Sequence, residues 1–259
     1  MSPIGKNKEK ISKMFNDIAS DYDATGHFLS FGIDRLWRRR IKKVITKNQS
    51  SPIQILDLAS GTGDLAFELS SISESTIIGI DISEKMLEMA KIKQAKNKIQ
   101  NIQFIHGDAL NVPFPDNTFD VVTIAFGIRN FENVENGIKE IYRLLKPNGR
   151  YYILELTRPN AFIQPFYLIY LNWILPMIGS IFTHKKNAYI YLKETIKDFD
   201  QDDDLSNLFK NNSFTNTHFS HWSFGIATLY TGVKTIKTPK NIGKTTIDNK
   251  ICEVTFHAN

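Results

Sequence analysis

Residues 54–64, QILDLASGTGD, carry an apolar stretch directly into a turn holding Gly61 and Gly63. No other segment restricts the fold as strongly. Glycine lets the backbone turn tightly and approach a ligand closely. A helix from Leu65 to about Ser70 follows and offers free N–H groups at its start. A strand, a glycine turn and a helix in that order form the first unit of an open α/β sheet.

The alternation continues downstream. TIIGID at 76–81 reads as a second strand. Ser83 caps the helix after it, with Glu84 in the first turn, where the helix dipole favours negative charge. NIQFIHGDA at 101–109 and FDVVTIAF at 119–126 read as the third and fourth strands, the latter apolar enough for the centre of a parallel sheet. Val134, Ile138, Ile141 and Leu145 mark an amphipathic helix over 132–146. Pro147-Asn148-Gly149 then turns the chain into a strand at 151–156. Residues 190–210 read as helix, and two late strands fall near 214–220 and 226–233. At the N-terminal end, Ile11, Met14, Phe15, Ile18 and Tyr22 predict a helix over 8–22, followed by an aromatic-rich loop and a basic helix. The expected class is α/β with a doubly wound sheet.

A length of 259 residues suits one large domain with an appendage, and 42% hydrophobic and 23% charged residues are ordinary globular values. Three segments are expected: N-terminal helices over 1–48 covering the active site, a Rossmann-like domain over 49–234 with an apolar substrate-lid insertion at about 157–210, and a basic disordered tail over 235–259. The only cysteine, Cys252, rules out an internal disulfide, makes a Cys/His zinc site improbable and fits a reducing cytoplasmic setting. The polar start MSPIGKNKEK has no apolar signal-peptide core. Lys234, Lys237, Lys240, Lys244 and Lys250 face only Asp248 and Glu253 at the C-terminal end, so over half of the net charge of +5 is local and does not argue for nucleic acid.

The cofactor is read from acidic strand ends. Gly61, Gly63 and Ala66 match the dinucleotide pattern G-x-G-x-x-G/A, and Asp81 at the end of the second strand suits the ribose hydroxyls of any adenosine cofactor. Asp57 discriminates: a carboxylate in the first strand suits the ammonium of a methionine moiety and suits a pyrophosphate poorly. Asp108 and Ala109 end the third strand, where an adenine edge would lie. Three acidic points and no basic residue in the glycine loop favour S-adenosyl-L-methionine over a nicotinamide.

The methyl acceptor is narrowed by what is missing. After the fourth strand stands AFGIRN rather than the N/D-P-P-Y/F of exocyclic-amine methylation. Cys252 is too remote for thiol-assisted base methylation, and no ligand cluster suggests a metal. An acceptor that needs only deprotonation remains, such as a quinol, whose ring carbon becomes nucleophilic as the phenolate forms. Arg129, with Asn130 beside it, is the candidate to hold that oxyanion, because arginine is a poor base at neutral pH. Another small aromatic or lipid acceptor stays open, as does a non-catalytic basic module binding RNA or membrane.

MFNDIASDYD at 14–23, FLSFGIDRLWRRR at 28–40, LDLASGTGD at 56–64, GIDISEKMLEMA at 79–90, VPFPDNTFDVVTIAFGIRNFEN at 112–133 and YRLLKPNGR at 142–150 together resemble the ubiquinone/menaquinone biosynthesis C-methyltransferases, from about Met14 to Lys234. The resemblance implies a class I methyltransferase fold, a seven-stranded sheet with its last strand antiparallel. It implies cofactor contacts at Thr62, Asp81, Asp108 and Ala109, and a polyprenyl quinol substrate. SFGIATLYTGVK at 223–234 is more similar to menaquinone-branch members, so demethylmenaquinol is favoured over a benzoquinol of the ubiquinone pathway. Many relatives carry histidine where Tyr230 stands. Asn148 replaces a usual glycine, LKET at 192–195 a usual L-P-E-S, Asp200 a common proline, and Ala125 a serine seen near the cofactor.

AFIQPFYLIYLNWILPMIGSIF at 161–182 has no charge, but Pro165, Pro176, Gln164 and Asn172 speak against a membrane span. Core packing, or a lid over an isoprenoid channel, is expected instead. With Arg35, Arg38, Arg39, Arg40, Lys42 and Lys43 around Trp37, the chain is expected to touch the inner face of the cell membrane peripherally, and a homodimer is left open.

Overall fold

The computed structural model describes residues 6–50, 53–174, 186–199 and 202–235. Seven strands, β1 (Ile53–Leu58), β2 (Ser75–Asp81), β3 (Ile102–His106), β4 (Phe119–Ala125), β5 (Leu145–Leu156), β6 (Phe214–Trp222) and β7 (Ala227–Lys234), form one sheet in the order β3-β2-β1-β4-β5-β7-β6. Strands β3 to β5 pair in parallel, and β7 is inserted antiparallel between β5 and β6. This is the expected doubly wound sheet with its last strand reversed.

Helices α4 (Asp64–Leu69), α5 (Glu84–Asn97) and α6 (Val134–Leu144) connect the parallel strands. Ser83 caps α5 as expected, its hydroxyl accepting from the Met86 amide. The sheet is buried on both faces, and alternation along β5 divides its side chains: Tyr152 packs with Trp37 and Leu65, Tyr151 with Ile141 and Phe209. The N-terminal helices are α1 (Lys8–Ile18), α2 (Tyr22–Leu29) and α3 (Ile33–Asn48). In α3, Trp37, Ile41 and Ile45 recur every fourth residue and are buried, while Arg35, Arg39 and Lys43 face outward.

Several boundaries differ from the sequence reading. The helix expected over 8–22 ends at Ile18, and Tyr22 opens a second helix through much of the presumed aromatic loop. The Tyr22 ring meets Phe15 edge-on at 6.2 Å, a tertiary contact that overrides the weak helix propensity of a segment containing Gly26. The helix expected over 190–210 is two, α8 (Lys186–Asp198) and α9 (Asp203–Asn211). Asp202, before α9, has φ +55° and donates its amide to the Tyr230 hydroxyl at 3.0 Å. Strand β5 begins at Leu145 rather than after the Pro-Asn-Gly turn. Asn148 sits at φ +65°, a conformation asparagine tolerates, and the β4–β5 register shifts between Phe119 and Val121. The usual glycine is therefore dispensable at position 148.

The uncharged run forms α7 (Gln164–Ile169) and a single π-helical turn over Tyr170–Ile174; its remainder, with Pro176, lies outside the described residues. Among the described residues no helix is long and apolar enough to cross a membrane. Asp200, Cys252 and the tail from 236 onward also lie outside them. Lys234 belongs to the sheet rather than to the tail: its ammonium donates to Asn117 Oδ1 and to the Leu145 carbonyl, both at 2.8 Å.

Gly232 shows how tightly β5 and β7 are fitted. A Cβ there would lie 2.5 Å from the ring of Tyr151, which is itself stacked on Phe209 with centroids 4.0 Å apart and has no room to retreat. Gly232→Ala should destabilise the fold by about 1–3 kcal/mol in urea titration, with the sheet retained in circular dichroism.

Candidate active site

Two cavities lie side by side at the C-terminal ends of the parallel strands. The first, of about 800 Å³, is lined by Gly61 after β1, Asp81 at the end of β2, Gly107, Asp108 and Ala109 after β3, and Ala125 at the end of β4. Helix α1 adds Lys8, Ile11 and Phe15. The second, of about 1270 Å³, is built largely from apolar and aromatic side chains: Met14, Ile18, Leu29, Trp37, Leu156, Tyr167, Tyr170 and Leu192 among them. Phe15, Tyr22 and Phe126 line both and form their common wall.

The first cavity gathers most of the residues singled out for the cofactor. Asp81 is buried, and its carboxylate accepts the amides of Gly61 and Ser83, each at 2.8 Å. Burial raises its pKa against those amide bonds. Gly61 has φ +56° and open space where a side chain would stand, so a ligand can reach its backbone. Asp108 accepts the Leu110 amide at 2.9 Å and pairs with Lys8 of α1 at 2.9 Å.

Three of the singled-out residues line neither cavity. Gly63, at φ +84°, serves packing, since a Cβ there would sit 2.7 Å from Phe104. The Thr62 hydroxyl donates to Asp23 of α2 and ties that helix to the glycine loop. Asp57 is fully enclosed: Oδ1 accepts the Thr123 hydroxyl at 2.7 Å, and Oδ2 has no partner. Burial pushes its pKa up to about 7, against the Thr123 hydroxyl bond.

Arg129 and Asn130 stand in a 3-10 turn (Ile128–Asn130) after β4, one at each cavity. Arg129 borders the apolar cavity. Its guanidinium pairs with the buried Glu155 and donates to the Phe126 carbonyl at 2.7 Å, while its Nε is buried without a partner. Asn130 borders the first cavity and accepts the Tyr191 hydroxyl at 3.1 Å. The sequence reading missed Glu155, although a lone carboxylate inside YYILEL is a signal, because a buried charge requires a partner. It also missed a polar cluster at the apolar cavity formed by His27, Asp34, Arg38 and Asp64. His27, Asp34 and Asp64 could offer a metal ion ligand atoms within 4.8 Å of one another. Arg38 already pairs with Asp34, and Lys93 with Asp64 at 2.7 Å, so those carboxylates are neutralised by protein cations.

The residues present fit an adenosyl sulfonium. An open glycine backbone at Gly61 and the carboxylates of Asp81 and Asp108 beside it suit a ligand bearing hydroxyls and positive charge. The fold and site define an S-adenosylmethionine-dependent methyltransferase. The sequence profile of the ubiE/COQ5 methyltransferase family matches residues 4–234, and the chain belongs to that family. It is 40% identical over 233 residues to the demethylmenaquinone methyltransferase of Bacteroides fragilis, covering 89% of this chain and 94% of that protein. It is 40% identical over 238 residues to the ubiquinone/menaquinone biosynthesis C-methyltransferase UbiE of Geotalea daltonii, covering 90% of this chain and 100% of that one. Among solved structures, an S-adenosylmethionine-dependent methyltransferase from Thermotoga maritima, described as a possible histamine N-methyltransferase, superposes with a TM-score of 0.60 at 20% identity, covering 86% of this chain and 99% of that one.

The raised pKa of Asp57 has a pH signature. A carboxyl easier to protonate when folded adds stability that is complete below its unfolded value of about 3.9 and is lost as pH rises towards about 7. Asp57→Asn, which keeps an acceptor for Thr123, should therefore lose less thermal stability than the parent protein between pH 4 and pH 8, as read in melting curves.

Proposed function

We propose that this protein C-methylates a polyprenyl quinol, converting demethylmenaquinol to menaquinol, with S-adenosyl-L-methionine as methyl donor. The observation that carries this reading is the large apolar cavity sharing a wall with the cofactor cavity at Phe15, Tyr22 and Phe126. The names of the relatives support the branch.

The donor supplies an electrophilic methyl group on a sulfonium. Asp81 orients the glycine loop and would meet the ribose, Asp108 and Ala109 would border the adenine, and Ala125 would contact the donor from the end of β4. Asp57 stands behind the glycine loop without lining the cavity, and Thr62 and Gly63 hold the loop in shape. Arg129, held by Glu155, presents a cation to the apolar cavity, where the phenolate oxygen of the quinol would develop charge, and Asn130 aligns the acceptor at the cofactor side. The protein's main contribution is alignment of the two reactants.

The lipid tail needs a way in. The α7 segment turns Tyr167, Tyr170 and Leu171 towards the cavity and leaves Phe162, Phe166 and Trp173 exposed. Phe31, Leu36 and Phe224 are exposed nearby, since the Trp37 indole donates to Ser223 and the Asn160 amide donates to the Phe224 carbonyl. With Arg35 and Arg39 alongside, this rim suits the inner face of an anionic membrane. The described parts of the 157–210 segment that border the cavity, α7 with the turn after it and α8, serve as the substrate lid, whereas Leu205 and Phe209 of α9 pack in the core instead.

Anaerobic incubation with methyl-labelled S-adenosylmethionine and chemically reduced demethylmenaquinone in detergent should add one methyl to a ring carbon, as read by mass analysis of the lipid. Failure of transfer with intact cofactor binding would redirect the substrate assignment to other quinols. Arg129→Lys keeps a cation against Glu155 but loses the planar fork, and should lower turnover about 100-fold with cofactor affinity unchanged. Arg129→Ala strands the Glu155 carboxylate and should also destabilise the fold by about 3–5 kcal/mol in denaturant titration. Asp81→Ala should instead weaken cofactor binding, measured by calorimetry.

A further inference from the structure

The apolar cavity contains one polar corner that the alignment roles above leave unused. His27 of α2 is the only imidazole lining the cavity among the described residues. Its Nδ1 is 2.7 Å from Asp34 Oδ2. Asp34 in turn accepts the Ser30 hydroxyl and the Arg38 guanidinium, which overcome the effect of burial and hold its pKa below the usual carboxylate range. A carboxylate kept ionised at that distance places the proton of the neutral imidazole on Nδ1 and leaves a lone pair on Nε2.

Nε2 faces Asp64 Oδ2 at 3.4 Å, longer than an ordinary N–H···O bond. Asp64 is already neutralised by Lys93 at 2.7 Å, with Arg38 at 3.6 Å. Asp23, one turn earlier on α2, is engaged by Lys93 and Thr62. Asp21, which also lines the cavity, is engaged by the Ser20 hydroxyl at 3.3 Å, and the remaining groups there exchange protons poorly near neutral pH. Arg129 is permanently charged. Tyr167 and Tyr191 hold their protons, burial pushing both pKa values up to about 12. An imidazole backed by a fixed carboxylate is the arrangement that accepts a proton from a hydroxyl.

We propose that His27 is the general base of the methyl transfer, taking the hydroxyl proton of the bound quinol on Nε2 while Asp34 fixes the ring. This assignment rests on the quinol reading above. The quinol O–H bond breaks as the N–H bond forms on Nε2, and the electron pair left on oxygen flows into the ring. The adjacent ring carbon bonds the methyl group while the carbon–sulfur bond breaks, its electrons remaining on sulfur as a thioether. The hydrogen of the methylated carbon leaves to solvent as a proton, and His27 returns its own proton to the oxygen. Arg129 stabilises the oxygen throughout and exchanges no proton.

Two measurements on the full-length protein test this. In methyl transfer to reduced demethylmenaquinone, His27→Gln should turn over at least about 100-fold more slowly than the parent, show a kcat–pH profile of different shape from the parent's, and keep cofactor affinity. The second measurement needs no quinol: 4-nitrophenol, whose colour reports ionisation, is titrated with pH in the presence of S-adenosylhomocysteine. Bound to the parent protein it should ionise at lower pH than when bound to His27→Gln. Identical ionisation in both proteins, or undiminished turnover by His27→Gln, overturns the assignment. A colour shift without methyl transfer by the parent keeps His27 as the base and refutes the quinol reading instead. Should His27→Gln fail to fold, Asp34→Asn, which no longer fixes the Nδ1–H tautomer, should show the same two losses, and a normal Asp34→Asn overturns the proposal.

Discussion

The site depends on a single buried carboxylate. Asp81 ends β2, yet it accepts the amide of Gly61 from the loop after β1 and that of Ser83 at the start of α5. One side chain thus ties together two βα turns that are twenty residues apart in sequence. The Gly61 loop can adopt its open conformation because the amide freed by the turn has a charged acceptor, and charge-assisted bonds of this kind are the stronger ones. Without that acceptor, the loop between β1 and α4 would have buried backbone donors and no fixed shape, and the edge of the cofactor cavity would be lost.

The two cavities divide the chemistry by polarity. Acids and open backbone surround the first, whereas aromatic and aliphatic side chains surround the second. Their shared wall, from α1, α2 and the end of β4, is where a methyl group and a ring carbon could approach. Burial strengthens a polar contact, so the Arg129–Glu155 pair, almost wholly enclosed, acts in surroundings of low dielectric, while the His27–Asp34 pair stands at the cavity surface.

The sheet, its winding and most of the cofactor wall were legible because they are written locally. The glycine loop, Asp81 and Asp108 each sit at a strand end that periodicity locates within a few residues. Arg129 could be singled out by its place after β4, but its partner Glu155 lies on the neighbouring strand, a pairing that only the β4–β5 register reveals. The His27 cluster was invisible for a similar reason. It assembles from α2, α3 and α4, and α2 itself was read as a loop because its stability comes from packing rather than from helix-forming residues. The early start of β5 was hidden by Pro147-Asn148-Gly149, which reads as a turn and is instead absorbed as an irregularity within a strand.

Helix α1 roofs the cofactor cavity, and its attachments are modest. Lys8 reaches Asp108 through a largely exposed ion pair, Ser12 donates to the Ile82 carbonyl at 3.0 Å, and Asn16 accepts the Ser83 hydroxyl at 2.7 Å. Exposed pairs of this kind contribute at most about 1 kcal/mol each and weaken as salt rises. These polar attachments hold the roof at the loops after β2 and β3 rather than at the strands, with Ile11 buried on its inner side. Under the proposed reaction the thioether and the methylated quinol could then leave by different sides, the one past these loops and the other through the apolar cavity, so the two products need never compete for one doorway.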